Sequence, residues 1–431
     1  MLAADSESGV FRMSAACSHG ALAGNRFRVI VCTDIGGSDP DDFQSMVHYL
    51  LYADLFDTEA LISSPWGEGS IQDLYRVMDA YAEDYPCLLT WSASYPAPDA
   101  LRAVTFQGAR DIAPYKGWSE PTAASERIIA CARQPDPRPL YLLMWGLLED
   151  LAQALHDAPD ILPRLRIYAI GGPNKKWGQN AYAYIREQFP DLWMIENNST
   201  YRGWFNGGDM TDPWGNRSFV TTFVSGHGAL GSFYAGLRYG EIKMGDTPSV
   251  AWLLSGDPEH PEQESWGGSF ERVYTMPAQT LSHPVAETTE IEVFSVAEIC
   301  FSGPVCAASD TPVFFLEIQG QTFSGYAVGD TRYRFRFVPK RPRDFTYRTH
   351  SRIPELDGLS GLFHVVPECA QTRRFGNLTH WWSDRLEPEL QDGIICGART
   401  INRWRKEYLR SFASRLERCC TVRPQADTDQ A

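Results

Sequence analysis

The stretch RVIVCTDIGGSDPDDFQSMVHYLLY (residues 28–52) decides the fold of this chain. Residues 27–32 form a short continuous apolar run, which is typical of a strand covered on both faces. From Phe43 onward the apolar residues follow helical spacing. The stretch therefore predicts a buried strand, a polar acidic loop and a helix.

The same strand–helix order recurs along the first part of the chain. Predicted strands occupy residues 58–63, 139–145, 164–170 and 191–196. Predicted helices occupy residues 70–85, 121–133, 147–158 and 180–189. This alternation implies right-handed crossovers and a mostly parallel, open α/β sheet flanked by helices. Ligands of such sheets bind at the carboxyl ends of the strands, so one rim should hold loops 33–42, 63–70, 145–147, 171–178 and 196–209.

The sequence pattern changes around residue 284. Segment 331–337 alternates Arg with aromatic residues at a period of two, and 289–296 and 312–320 also have strand character. Over 395–420 apolar residues recur every three or four positions, which predicts an amphipathic helix. The predicted units are an N-terminal arm (1–25), an α/β domain (26–284), a β-rich insert (285–368) and a C-terminal helical segment that packs on the α/β domain (369–431).

Charge and composition exclude some partners. The net charge of −15 argues against a nucleic-acid partner, because phosphate backbones need clustered Lys and Arg. No apolar run of about 18 residues exists, so we expect no membrane span. Residues 1–25 do not have the pattern of a secretory signal, which slightly favours a cytoplasmic location. The sequence leaves open a homo-oligomer, and it leaves open whether Cys300/Cys306 and Cys419/Cys420 form disulfides.

Four acidic residues lie within nine positions behind the first predicted strand: Asp34, Asp39, Asp41 and Asp42. Like charges this close repel one another. Capping of the helix by Asp39 or Asp41 explains part of the pattern, but one cap needs only one carboxylate. A hard divalent cation explains the others better, since Ca²⁺ takes about six to eight oxygen ligands.

The segment CTDIGGSDPDD (32–42) resembles the amino-terminal signature of the nucleoside hydrolases, with one extra residue in the loop. The resemblance continues in order through LYLLMWGLLEDLAQAL (140–155), IYAIGG (167–172) and ENN (196–198). Later segments are similar to one branch of that superfamily, the cellulose-binding nucleoside-hydrolase-like domain proteins: HGALGSFYAG (227–236), GDTPSVAWLL (245–254), DPEHPEQESWGG (257–268), HWW (380–382) and GARTINRWRKEYLRSFASRLERC (397–419). Together the resemblance covers roughly residues 26–282 and 378–420, and it implies the same open α/β fold.

The resemblance implies a calcium site. Asp34 and Asp42 would bind Ca²⁺ through their carboxylates, and Asp246 would be a later carboxylate ligand. Trp145 would supply its backbone carbonyl, which any residue can offer. Cys32 stands where the family signature has its first aspartate, so one polar contact of that pattern is replaced by a thiol.

The resemblance also implies the base and the groups that bind the sugar. Asp41 would act as the general base on the attacking water. Ser38 lengthens the loop, so Asp39 competes with Asp41 for that role. Glu196 and Asn198 would hold sugar hydroxyls.

The group that protonates the leaving group is less clear from the resemblance. Gly245 stands where the best-known nucleoside hydrolases have a histidine that helps a purine leave. His227 is the alternative acid, although a lone histidine between glycines is a loop residue at least as often. Trp66 and Trp204 lie in predicted rim loops and are candidate aromatic contacts for a sugar, with core packing as the alternative.

These residues predict a calcium-dependent hydrolase that acts on a small sugar or nucleoside-like substrate, such as a furanoside. Water deprotonated by Asp41 would attack the anomeric carbon, and nearby carboxylates would stabilise an oxocarbenium-like transition state. Without a carboxylate nucleophile the configuration would invert. One alternative is a non-catalytic carbohydrate-binding protein on the same fold. Another is a phosphatase-like metal hydrolase, for which the sequence shows no basic phosphate-binding motif.

Overall fold

The computed structural model of the protein describes residues 26–37, 39–64 and 69–423. In these ranges the strands are β1 (Phe27–Thr33), β2 (Phe56–Ser63), β3 (Thr105–Gln107), β4 (Leu140–Met144), β5 (Leu165–Ile170), β6 (Met194–Asn197), β7 (Phe270–Val273), β8 (Ala278–Ser282), β9 (Glu290–Glu292), β10 (Val296–Cys306), β11 (Phe314–Ile318), β12 (Gln321–Phe337), β13 (Arg343–Ser351), β14 (Ser360–Val366) and β15 (Trp381–Asp384).

The α-helices of the same ranges are α1 (Asp41–Leu51), α2 (Ile71–Trp91), α3 (Pro98–Ala103), α4 (Ala123–Ala132), α5 (Glu149–Asp157), α6 (Gly172–Trp177), α7 (Gln179–Gln188), α8 (Asn216–Phe219), α9 (Gly228–Ala235), α10 (Thr247–Leu254), α11 (Arg399–Asn402) and α12 (Arg405–Glu417). A 3₁₀ turn at Thr200–Trp204 and a π-helical turn at Val220–Val224 lie between them. The predicted N-terminal arm lies outside the described residues.

The larger sheet has eight strands in the order β3-β2-β1-β4-β5-β6-β15-β7. Neighbouring strands are parallel except for β15 and β7. β1 lies inside the sheet, with Val31 paired to Leu61 on one side and to Leu143 on the other. The predicted mostly parallel α/β sheet flanked by helices is confirmed. The predicted strands and helices up to residue 197 fall close to their observed positions, whereas β3, α3 and α6 were not predicted.

Alternate residues of β1 face two different cores. Val29 and Val31 join a cluster that includes side chains of α1, α2, α10 and α12. Ile30 and Cys32 join a second cluster with α4, α5 and α7. Burying one side chain of this size stabilises the fold by roughly 1.5–3 kcal/mol. Because helices cover both faces of the sheet, a polar site can form only at the ends of its strands.

The seven strands β8 to β14 form a second sheet, in the order β8-β10-β12-β11-β13-β14-β9. The alternation predicted for 331–337 is present in β12, where Tyr333, Phe335 and Phe337 are buried in a separate core. Arg332, just before them, is exposed and Arg334 is partly exposed, whereas Arg336 is buried and forms an ion pair with Glu298. The second sheet begins at Ala278, before the predicted insert boundary at residue 285, because β8 pairs in parallel with β10.

The C-terminal segment adds both a strand and helices to the larger sheet. β15 lies between β6 and β7, with Trp381 paired to Met194, and the sequence analysis did not predict this strand. The helix predicted over 395–420 is interrupted at Arg403 and Trp404, which separate α11 from α12. α12 packs on the same core cluster as α1 and α2.

Two expectations about the chemistry of the chain can also be compared with the structure. All nine cysteines in the described ranges are free thiols, so neither Cys300/Cys306 nor Cys419/Cys420 forms a disulfide. Within those ranges, no helix is both long and apolar enough to cross a membrane.

Candidate active site

The acidic loop after β1 opens at the carboxyl edge of the larger sheet. Asp34, directly after the strand, packs against Gly146, where an added β-carbon would lie 2.9 Å from the Asp34 Cβ. The amide of Trp145 donates to the carbonyl of Cys32 at 2.7 Å, so the ends of β1 and β4 are aligned. Asp34 therefore stands at the edge where parallel sheets bind their ligands.

Three further carboxylates converge beside Asp34. Asp41 and Asp42 are the first two residues of α1, and Asp246 immediately precedes α10. One oxygen from each of these three residues lies within 4.8 Å of the others. Asp42 and Asp246 are only 6% and 3% exposed, whereas Asp41 is partly exposed. Thr33 also donates a hydrogen bond to Asp42. So many carboxylates in a buried position require protons or a cation to compensate them.

Helix capping does not explain this acidic group. The N-cap residue of α1 is Pro40, and no side chain caps the helix. Asp39 instead forms an ion pair with Lys243. The alternative in which Asp39 or Asp41 caps the helix is therefore wrong, and the carboxylates of Asp41 and Asp42 are left for another role.

Gln44 holds the loop of Asp246 against the helix of Asp41. Its side-chain oxygen accepts hydrogen bonds from the amides of Lys243 and Met244 at 2.8 and 2.9 Å. Its side-chain nitrogen donates to the carbonyl of Glu241 at 2.8 Å. Gln44 is fully buried, so these three bonds form away from water and fix the position of the loop. Asp41 and Asp246, which are 205 positions apart in the chain, thereby meet at one site.

Burial raises the pKa of all four carboxyl groups. The pKa of Asp34 rises to about 6, although a hydrogen bond with Asp42 acts in the opposite direction. Burial, followed by the negative charge of Asp34, raises the pKa of Asp41 to about 7. Burial and neighbouring carboxylates raise the pKa of Asp42 and of Asp246 well above the ordinary value. Without a compensating cation, burial therefore favours the protonated form of each of these groups.

The donors at this edge fit a hard divalent cation. They are carboxylate oxygens, and Oδ2 of Asp246 is buried without a hydrogen-bond partner. A cation would compensate this oxygen, which otherwise costs free energy in a buried position. The three-carboxylate group differs from the predicted ligand set in one respect. It contains Asp41, while Asp34 adjoins it through a hydrogen bond with Asp42.

The carbonyl of Trp145, the fourth predicted ligand, lies next to Asp34 but already has one partner. It accepts a hydrogen bond from Nδ2 of Asn174 at 2.7 Å. The indole of Trp145 is buried and donates to Ser249 Oγ at 2.7 Å. Since a carbonyl oxygen has two lone pairs, one remains available for a cation.

Glu196 and Asn198, the predicted sugar ligands, belong to a buried polar network. Oε1 of Glu196 accepts from Lys175 Nζ at 2.5 Å and from Asn198 Nδ2 at 2.7 Å. Oε2 accepts from the Tyr182 hydroxyl at 2.9 Å and from Trp381 Nε1 at 3.0 Å. Although burial raises the pKa of Glu196, the ammonium group of Lys175 holds it below its ordinary value. Only Oδ1 of Asn198 remains buried without a partner.

The structure does not bring His227 to the carboxylates. His227 precedes α9, whose first amides, those of Ala229 and Leu230, donate to Asp84 of α2 at 2.8 Å. The rim end of α2 is marked by Asp73, against which Gly36 of the acidic loop packs. Asp84 lies eleven residues further along this helix, or about 16 Å away. His227 therefore lies away from the candidate site.

Of the two predicted aromatic contacts, Trp204 does not add to the site. Trp204 is fully buried, and its ring stacks on that of Tyr408 at 3.8 Å between centroids. This is core packing, the alternative reading of the sequence. Trp66 lies outside the described residues.

Tyr201 is a site residue that the sequence analysis did not single out. Its ring lies 3.7 Å from where a β-carbon of Gly245 would be, and its hydroxyl is 3.0 Å from that of Gly172. Burial raises the pKa of Tyr201, and the charges of Asp41 and Asp246 act in the same direction. The available signal was its place in a rim loop. The 3₁₀ turn at 200–204 directs Tyr201, rather than Trp204, toward the carboxylates.

Comparison with known families gives the class of the protein. The sequence model of the family described as "Cellulose-binding Sde182, nucleoside hydrolase-like domain" matches residues 28–270, which is more than half of the 431-residue chain. The chain belongs to this family, and the resemblance seen in the sequence is confirmed. A comparison with curated proteins gave no match.

Solved structures give a similar picture of the fold. A nucleoside hydrolase-related hypothetical protein from Saccharophagus degradans, associated with carbohydrate metabolism, is 18% identical with a TM-score of 0.50, and the match covers 80% of this chain and 100% of that chain. An inosine-uridine preferring nucleoside hydrolase from Bacillus anthracis is 14% identical with a TM-score of 0.39, covering 90% and 99%. The first of these likenesses supports the fold alone.

Proposed function

We propose that the protein is a calcium-dependent hydrolase of glycosidic or N-glycosidic bonds, with a furanoside or nucleoside-like substrate. One observation carries this proposal: Asp41, Asp42 and Asp246 converge within 4.8 Å beside Asp34, at the carboxyl edge of the sheet. A fold needs none of these carboxylates for its stability, since each raises the cost of burying the others.

The residues that would hold the cation are Asp34, Asp42, Asp246 and the carbonyl of Trp145. When bound, Ca²⁺ would offset the negative charge and orient oxygen ligands such as sugar hydroxyls. Asp41 and Asp34 are both partly exposed, whereas Asp42 and Asp246 are buried, so Asp41 can reach both substrate and water. Burial raises its pKa to about 7 in the metal-free protein, and a cation bound beside it would lower that pKa, so Asp41 would be ionised and able to accept a proton near neutral pH.

In the proposed reaction, Asp41 accepts a proton from the water that attacks the anomeric carbon, and the bond to the leaving group breaks with its electron pair. The configuration at that carbon inverts, because no carboxylate forms a bond to the sugar. Among the described residues, no histidine lies beside the carboxylates. The leaving group therefore either departs as a stable anion or takes its proton from solvent.

Binding without hydrolysis is the second candidate function. The description of the family as cellulose-binding favours it. The structure adds one relevant contact pattern: both oxygens of Glu196 already accept two hydrogen bonds each from the protein. A sugar that relies on Glu196 would have to displace one of these donors.

The decisive experiment combines calcium titration with a substrate panel. Native mass spectrometry and calorimetry of the metal-free protein should show one Ca²⁺ per chain. 4-Nitrophenyl furanosides, 4-nitrophenyl pyranosides and ribonucleosides should then be tested with calcium and with chelator. Calcium-dependent release of nitrophenol or base supports the hydrolase. Saturable binding of cello-oligosaccharides with no turnover of any substrate would favour the binding protein.

A further inference from the structure

The second sheet reaches across the carboxyl edge of the first. Lys175 of α6 donates to the carbonyl of Phe294 at 2.7 Å, and the amide of Phe294 donates to the carbonyl of Pro339 at 2.7 Å. Trp177, two residues after Lys175 in α6, stacks on Phe323 of β12, with ring centroids 5.3 Å apart. These contacts fix the connection between β12 and β13, residues 338–342, next to α6 at the mouth of the candidate site.

That connection has the sequence VPKRP and carries two cations, Lys340 and Arg341. Burial and then the charges of Arg341 and Arg202 lower the pKa of Lys340. Burial and then the charge of Lys340 lower the pKa of Lys176 to about 8. Burial also lowers the pKa of Lys243. The negative charge of Asp246 raises this pKa, and the positive charge of Lys340 lowers it further. These mutual effects indicate that five cations from four segments lie near one another, and we refer to them as the basic rim: Lys176, Arg202, Lys243, Lys340 and Arg341.

The basic rim is poorly balanced by the protein itself. In the described part of the chain, Lys243 is the only member that forms an ion pair, and its partner is Asp39. Arg341 is exposed and Lys340 and Arg202 are partly exposed, so an external ligand can reach them. The whole chain has 54 acidic and 39 basic residues, which makes four neighbouring cations without an acidic partner unexpected. Their mutual repulsion would be relieved by a bound anion.

The basic rim and the carboxylates are close neighbours. Arg202 follows Tyr201, whose ring lies against Gly245 next to Asp246. Lys243 precedes Asp246 by three residues in the loop that Gln44 holds. Nε of Arg202 donates to the Tyr201 hydroxyl at 3.3 Å, so the two groups adjoin each other through Tyr201.

We propose that the ligand of this site is an anionic sugar, with an oxyanion substituent held by Arg202, Lys340 and Arg341 while the ring lies at the carboxylates. This inference rests on the proposed function for the position of the ring, but it concerns recognition and needs no turnover. Arg is suited to bind phosphate or carboxylate through two parallel hydrogen bonds. The bond that joins this substituent to the sugar is not the bond that is cleaved.

The test is a binding comparison at low salt in the presence of calcium. Ribose 5-phosphate, galacturonate, neutral ribose and inorganic phosphate should be titrated into the Asp41→Asn variant, which cannot use Asp41 as a base. We expect ribose 5-phosphate or galacturonate to bind at least tenfold more tightly than ribose, with the preferred one identifying the oxyanion. The preference should shrink as salt is raised.

Variants assign the preference to the basic rim. Lys340→Ala combined with Arg341→Ala should remove most of it without changing the affinity for ribose. Arg352→Ala is the matched control, because Arg352 is an exposed arginine that directly follows the far end of β13, about 30 Å along the strand. Single Lys340→Gln and Arg341→Gln variants serve if the double variant does not fold.

Three results would overturn the inference. They are equal affinity for charged and neutral sugars, an anion preference that survives in the double variant, and calcium-dependent release of inorganic phosphate from ribose 5-phosphate. Release of inorganic phosphate would mean that the basic rim holds the bond that is cleaved. If the preference is found but no glycoside is ever cleaved, the basic rim stands and the hydrolase proposal fails.

Discussion

Gly245 lies directly against the carboxylate of Asp41, and a β-carbon at position 245 would come within 2.6 Å of Asp41 Oδ2. The candidate base therefore occupies space that any side chain at 245 would take. The same β-carbon would lie 3.7 Å from the ring of Tyr201. An absent side chain is thus part of the geometry of the site.

Gly245→Ala should displace Asp41 and reduce turnover by about 100-fold, because misplacement of a reacting group by about 1 Å can cost this much. The backbone at 245 does not have a positive φ, so stability should change little. The control is Gly236→Ala, where the nearest atom to a new β-carbon is 3.3 Å away. Unchanged kcat in Gly245→Ala would show that Asp41 is not the base.

Asp41→Asn should preserve the fold and reduce turnover by about 10²–10⁴, because an amide cannot accept the proton of water. Asp42→Asn should instead weaken Ca²⁺ binding, with activity partly restored by excess calcium. Asp39→Asn is the control, and it removes only the ion pair with Lys243. Turnover should be measured across a calcium titration for each variant. An inactive Asp39→Asn beside an active Asp41→Asn would assign the base to Asp39.

The stability of the metal-free protein should fall as pH rises from about 4 to about 7. The pKa values of Asp34 and Asp41 are about 6 and about 7 in the folded state, against about 3.9 in an unfolded chain. In this window the folded state binds more protons than the unfolded state, so raising the pH favours unfolding. Each fully protonated carboxyl contributes up to about 1.4 kcal/mol per pH unit.

Calcium binds the ionised carboxylates and should counter this loss. We therefore expect the increase in Tm on adding calcium to be larger at pH 7.5 than at pH 5. Differential scanning fluorimetry with calcium and with chelator measures both values. An equal increase at the two pH values would place calcium elsewhere on the protein.

Gln44→Met should weaken calcium binding although Gln44 does not belong to the carboxylate group. The change leaves the buried amides of Lys243 and Met244 without an acceptor, at a cost of about 2–4 kcal/mol in the free energy of unfolding, and it frees the loop of Asp246. Ile128→Ala lies in the other core and should cost about 2–5 kcal/mol without changing calcium affinity. Calorimetry on both variants separates loop position from general stability.

Arg415→Met should detach the C-terminal helix from the α/β core. The Arg415 guanidinium binds Asp54 at 2.6 Å, and the two side chains are 12% and 8% exposed. Removing the cation leaves a buried carboxylate, which typically costs about 3–5 kcal/mol. The control is Arg133→Met, since the pair of Arg133 with Asp160 is exposed and contributes little. Urea unfolding that is equal for the two variants would contradict this expectation.

Periodicity predicted the parts of the fold in which one segment determines its own structure. The run 27–32 and the spacing from Phe43 to Leu51 are properties of neighbouring residues, so β1 and α1 were accessible. β15 was not, because four residues carry too little periodicity and its place depends on pairing with β6. The break between α11 and α12 has a similar cause: Arg405 turns inward to bond the carbonyls of Trp204 and Trp214.

The site shows the same division. The spacing of Asp34, Asp41 and Asp42 pointed to shared chemistry at one strand end. The contribution of Asp246 came only from resemblance, because the contacts of Gln44 that bring it there are tertiary. Trp204 was assigned to the rim from its loop, yet a neighbouring helix covers it. The basic rim could not be seen either, since its members come from four separate segments.

The position of β15 also constrains how the chain folds. The outer neighbour of β6 is β15, whose Trp381 follows its partner Met194 by 187 positions. The entire second sheet lies between them in the chain. Closing a loop of this length is costly in entropy and slows folding. If the second sheet folds first, it brings the two ends of that loop nearer and shortens the search. Until then the exposed edge of β6 can pair with another strand, so newly made chains that end before residue 381 should be prone to association.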